Sequence, residues 1–69
     1  MSNTVYYPLS VGEIWVDSDG CKWYIYEHVN PNIYRAKCID GFNLGKFKSY
    51  YSSGESVHGF GSTLIKKVD

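Results

Sequence analysis

Val16 to Tyr26 reads VDSDGCKWYIY, a cluster of turn residues followed by one Trp and two Tyr. DSDG at 17 to 20 carries the Asp, Ser and Gly signals of a tight turn, and the run behind it is aromatic and β-branched. Side chains on a strand alternate between two faces, so Trp23 and Ile25 share one side while Lys22, Tyr24 and Tyr26 share the other. Which rings hold the fold together, and which are left to touch something else, depends on how this hairpin is paired. A slip of one residue turns every side chain to the opposite face.

Outward from this stretch the pattern repeats. Short apolar and aromatic runs are bounded by Gly, Pro, Asn, Asp and Ser, and no window keeps a helical period for more than a turn. The chain is therefore expected to be all-β, with strands at Val11 to Val16, Cys21 to His28, Ile33 to Ile39, Lys46 to Tyr51 and Thr63 to Val68. The separators are DSDG, VNPN at 29 to 32, DGFNLG at 40 to 45, and SSGESVHGFGS at 52 to 62. Residues 1 to 10 are expected to form an arm or an edge strand stopped by Pro8, ahead of a single domain over 11 to 69. A chain this short buries only about 60% of its unfolded surface, so a second core has no material.

Pairing Val16 with Cys21, His28 with Ile33 and Ile39 with Lys46 gathers Ile14, Val16, Cys21, Trp23, Ile25, Tyr34, Ala36, Cys38, Phe47 and Tyr51 on one face. Trp15, Tyr24, Tyr26, Arg35, Lys37, Lys48 and Tyr50 then share the other, which is aromatic and basic at once. A different pairing of the last hairpin would set Lys46 and Lys48 among Cys38 and Ala36, with ammonium groups in apolar surroundings. DSDG read as a type I turn plus bulge, with Gly20 at positive φ, would slip the first pairing by one. With no covering helix, the sheet has to curl on itself. A fifth strand then supplies Leu64 and Val68, or else Ile65, to the core of a small, partly open five-stranded antiparallel barrel.

The layout of VGEIWVDSDGCKWYIYE, with a Gly before the first strand, an aromatic within it, an acidic-Gly turn and a long aromatic second strand, resembles small SH3-like barrels. Bacteriophage accessory proteins often look similar, being short, aromatic-rich and built of little beyond five strands. The chain lacks the acidic loop and the paired tyrosines plus proline of peptide-binding SH3 domains, so the resemblance does not imply proline-rich ligands.

Charge and motifs narrow the function. Seven Lys plus Arg balance seven Asp plus Glu, which offers no general attraction to polyanions or anionic membrane. The distribution is uneven: residues 1 to 32 sum to −3 and residues 33 to 50 to +3. No apolar run approaches a membrane span, and MSNTVYYPLS lacks the n- and h-regions of an export signal, so a soluble, cytoplasmic protein is expected. Cys21 and Cys38 are expected as buried free thiols.

With His28 and His58 these cysteines show no zinc-ligand spacing, and DSDG lacks the later Glu of a calcium loop. The Ser, His58 and Glu55 groups of the last loop sit on glycine-rich chain, a poor support for catalytic geometry. No catalytic residue, metal or cofactor is assigned. The expected function is a non-enzymatic module binding another protein through Trp15, Tyr24, Tyr26, Arg35, Lys37, Lys48 and Tyr50, as an inhibitor or adaptor of the bacteriophage type. Single-stranded nucleic acid is the alternative ligand, and self-association a third. A plainer reading wraps Trp15, Tyr24 and Tyr26 into a second part of the core.

Overall fold

The computed structural model describes residues 9–58 and 63–68. Its strands are β1 (Ile14–Asp17), β2 (Lys22–Asn30), β3 (Ile33–Asp40), β4 (Phe47–Tyr51) and β5 (Leu64–Val68). They form one antiparallel sheet in the order β4-β3-β2-β1-β5, curled into a half-barrel, with no helix among the described residues. Residues 1 to 8 of the expected arm, and 59 to 62 of the last loop, lie outside the described residues.

The β2–β3 hairpin pairs as the alternation predicts at its centre, with Trp23 opposite Cys38 and Ile25 opposite Ala36. All four are fully buried. Beyond them a bulge sets Tyr26 and Glu27 together against Arg35, and the strand continues to Asn30.

The first hairpin takes the slipped pairing. The Gly20 amide donates to Asp17 O at 3.0 Å, Gly20 has a φ of 90°, and the Asp17 amide donates to Cys21 O at 2.9 Å. The extra residue sets Trp15 opposite Trp23. Trp15 is therefore buried, and Ile14 and Val16, expected in the core, are half-buried on the other face.

The third hairpin also departs from expectation. The Cys38 amide donates to Lys46 O at 2.8 Å and the Gly45 amide to Cys38 O at 3.0 Å, with Gly45 at a φ of 89°. Tyr34 then faces Tyr50 and Lys37 faces Phe47. Tyr50 enters the core, where its ring meets Trp23 edge-on at 5.6 Å and 68°, an arrangement that aromatic quadrupoles favour. Phe47 and Tyr51 turn outward. Lys48 does land opposite Ala36 on the inner side. Its ammonium is not stranded there: the chain is half-buried and Nζ lies 5.4 Å from the Trp23 ring centroid, with the stem covering apolar surface and the charge facing the ring.

The core thus holds Leu9, Trp15, Cys21, Trp23, Ile25, Tyr34, Ala36, Cys38, Tyr50 and Leu64. Leu64 rather than Ile65 comes from β5, because a bulge there moves the ladder from Val16–Lys66 to Asp17–Leu64. Past β4 the chain doubles back: Tyr51 N donates to Glu55 O, Val57 N donates to Ser49 O, and Ser56 bridges Tyr50. Residues 55 to 57 so cover part of an edge that would otherwise present open amides and carbonyls.

One polar side chain is built into this core. Asp17 is buried, and its Oδ1 accepts the amides of Asp19 and Cys21 while its Oδ2 accepts the Trp23 indole N–H, each at 2.9 Å. Three donors aimed at one carboxylate offset the cost of taking it from water, and they tie the turn to the central ring of the core.

Candidate functional site

The two slipped hairpins redistribute the expected contact residues. Trp15 is 1% exposed and Tyr50 fully buried, so both are core rings, contrary to their expected place on the outer face. The Trp15 indole N–H donates to Glu13 Oε1 at 2.9 Å, and Lys67 Nζ lies 3.4 Å from Glu13 Oε2. Burial pushes the Glu13 carboxyl up, but the Trp15 and Ser10 hydrogen bonds and Lys67 outweigh it and hold the group below its ordinary value. Lys48 is likewise corrected to the inner side. Tyr24, Tyr26, Arg35 and Lys37 do lie on the outer face, by the register of β2 and β3.

That face has an order that alternation alone did not reveal. The paired positions Val68, Ile14, Tyr24, Lys37 and Phe47 form one row across all five strands. Lys37 Nζ sits 5.7 Å from the Phe47 ring centroid, and the bulged Tyr26 meets Phe47 edge-on at 5.8 Å and 85°. Above it runs the row Lys66, Val16, Lys22 and Asp40, and below it Arg35 faces Ser49. Tyr24 and Phe47 are exposed, as are Arg35 and Lys37.

Phe47 was missed because the expected register of the third hairpin turned it inward. Also missed were Phe42 and Leu44, the most exposed large apolar residues among those described, at 75% and 67%. They lie in the β3–β4 loop, where the Leu44 amide donates to Gly41 O and the Lys46 amide to Asn43 O. A Cβ on Gly41 would stand 2.8 Å from Cys21 Sγ, and Asn43 Nδ2 donates to the same sulfur at 3.7 Å. The tip is therefore fastened to the body while its two large side chains project. Two bulky apolar residues enclosed by Gly41 and Gly45 were the available sequence signal.

The cysteines are buried free thiols. Burial pushes the Cys38 thiol up, and it donates to Asp40 O at 3.2 Å. His58 and Glu55 are exposed, whereas Ser56 is buried. Among the described residues, no helix is long and apolar enough to cross a membrane.

The fold defines a small all-β half-barrel consistent with an SH3-like layout, with its spare rings and several cations on the outer face. No protein-family model matches the chain, and no curated protein or solved structure compared with it matches either.

Proposed function

We propose that this protein is a non-enzymatic interaction module that binds another protein through the outer face of its sheet, as a small cytoplasmic inhibitor or adaptor of the kind bacteriophages encode. The observation that carries this reading is the row Tyr24, Lys37 and Phe47, with Tyr26 packed against its end. Core packing already has its own rings in Trp15, Trp23, Tyr34 and Tyr50. The outer rings are thus spare apolar area, and aromatic and Arg side chains carry a disproportionate share of binding energy at protein interfaces.

Rings interleaved with cations on one face also support a second reading, a site for single-stranded nucleic acid, which stacks bases on rings and tracks phosphates with Lys and Arg. Glu27 and Asp40 on the same face count against it, since a continuous phosphate strand along the sheet would pass both, whereas a short segment of a protein partner meets only part of the face.

Crosslinking in host lysate with the wild type, Tyr24→Ala and Arg35→Glu separates the readings. A protein captured by the wild type and lost from both variants, with the buried-Trp emission unchanged, supports a protein partner. Labelled oligonucleotide binding that falls steeply with salt supports the second reading, because released counterions set that slope. Binding of neither kind to a folded wild type contradicts both.

A further inference from the structure

Among the described residues, four of the six acids of this formally neutral chain are placed away from the outer rows. Asp17 is inside the core, Glu13 is engaged by Trp15, Ser10 and Lys67, and Asp19 and Glu55 lie in turns. Among the described residues, the outer rows hold Lys22, Arg35, Lys37 and Lys66 against Glu27 and Asp40. Lys22 already takes Asp40 at 3.9 Å. Lys46 flanks the hairpin tip and is exposed. Arg35 faces Glu27 and Lys66 lies on the far edge strand, which leaves Lys37 and Lys46 as the cations beside the exposed apolar groups of the β3–β4 hairpin.

Two apolar anchors lie along that hairpin. One is the Tyr24–Phe47 pair on either side of Lys37, and the other is the fastened tip with Phe42 and Leu44. Lys37 precedes the strand end at Asp40 by three positions. At strand rise that is about 10 Å. With Lys22 held by Asp40, the cations beside the anchors are Lys37 and Lys46.

We propose that the ligand of the outer face is an acidic segment of another protein, anchored by one apolar side chain at Tyr24–Phe47 and another at Phe42–Leu44, with its carboxylates on Lys37 and Lys46. This deepens the protein-binding reading and rests on it. The ordered turn lowers the conformational cost of using exposed Phe and Leu as anchors, because its backbone is already held. Charge on the lysines gives register and speeds encounter more than it adds affinity.

The test selects a displayed library of random linear peptides on the full wild-type chain. Peptides with two bulky apolar residues flanking several Asp or Glu are expected. Their binding should weaken about tenfold in Lys37→Glu and in the Phe42→Ser, Leu44→Ser double variant, and weaken again as salt rises. Emission of the buried Trp15 and Trp23 reports folding. Should the double variant fail to fold, Lys37→Glu, altered at an exposed side chain, still decides.

Enrichment of neutral or basic peptides that depend on Tyr24 would overturn the acidic ligand and leave the protein-binding reading standing. Peptides indifferent to Tyr24→Ala and Lys37→Glu alike, or no enrichment at all, would overturn both. Oligo(dT) or phosphatidylserine vesicles binding as tightly as the peptides, or a wild-type dimer that the tip substitutions dissolve, would reassign the face to nucleic acid, lipid or a second copy.

Discussion

The first and third hairpins both carry an Asp near their turn and glycines at positive φ, yet they put these residues to opposite uses. At DSDG the Asp17 carboxylate turns inward and accepts three hydrogen bonds, so the turn is tied to the core through Trp23. At DGFNLG the Asp40 side chain is 69% exposed and meets only Lys22 among the described ion pairs, while Gly41 packs on Cys21 and the apolar residues project. Similar turn chemistry thus builds a buried polar anchor at one place and a displayed apolar tip at the other. Both turns touch the core, and the difference lies in their side chains: Asp17 points into it, whereas Asp40, Phe42 and Leu44 are exposed.

The two carboxylates should differ most when each is removed in turn. Asp17→Ala leaves an indole N–H and two amides without their acceptor, at a cost of about 3 kcal/mol or more. A core this small rarely supplies more than about 3 to 5 kcal/mol, so the variant should be largely unfolded in a urea titration followed by Trp emission. Asp40→Ala should shift the same titration by no more than about 0.5 kcal/mol, because an exposed ion pair is weak. Its partners here stand 3.9 Å apart. Equal losses would erase the distinction.

Next in size is Gly41→Ala. Its Cβ would press on Cys21 Sγ at 2.8 Å and Cα at 2.9 Å, at a φ of 110°. Overpacking and the left-handed backbone together should cost about 2 to 4 kcal/mol. Gly45→Ala meets open space. It should cost only the penalty of its backbone conformation, about 1 to about 2 kcal/mol. Thermal melts of the two variants measure whether the tip is fastened through Gly41.

A pH experiment sharpens the core side. The Tyr50 hydroxyl is buried without a hydrogen-bond partner, and burial, then the nearby Asp17, push the phenol well up. The folded state therefore holds this proton more tightly than the unfolded chain. Its contribution is fully present below the unfolded value of about pH 10 and is lost as pH rises beyond it. Tyr50→Phe should match or exceed the wild type at neutral pH by up to about 1 kcal/mol, since it removes an unsatisfied buried group. It should also show a shallower loss of stability above that pH. An equal loss in the two proteins would return the Tyr50 hydroxyl to water.

The smallest effect belongs to the tip. Phe42→Ser and Leu44→Ser should leave the urea midpoint within about 0.5 kcal/mol of wild type, as exposed substitutions do. A larger drop would make these residues part of the fold rather than its display.

Part of this was legible in the residues. The five-stranded all-β sheet and the central pairing of Trp23 with Cys38 follow from alternation, because at the middle of the hairpin Trp23, Ile25, Ala36 and Cys38 hold one parity and Lys22, Tyr24, Arg35 and Lys37 the other. At Ile14 to Val16 and at Phe47 to Tyr51 both parities carry bulky apolar side chains, so alternation cannot choose between them. There the choice falls to a glycine that adds one residue to the turn, at Gly20 and again in the Gly41–Gly45 loop. The extra residue in each turn exchanges Trp15 and Tyr50 with Ile14, Val16, Phe47 and Tyr51. Asp17 was hidden for the same reason: its burial follows only once the slipped register turns it inward.

The most direct test of the account is an amide chemical-shift map of the wild-type chain titrated with an acidic peptide carrying two apolar residues. Perturbations are expected to trace Tyr24, Lys37 and Phe47 and continue through residues 42 to 44, while Trp15, Trp23 and Tyr50 stay unchanged. Perturbations gathered instead at residues 28 to 34 or 52 to 57, with the outer row silent, would contradict it.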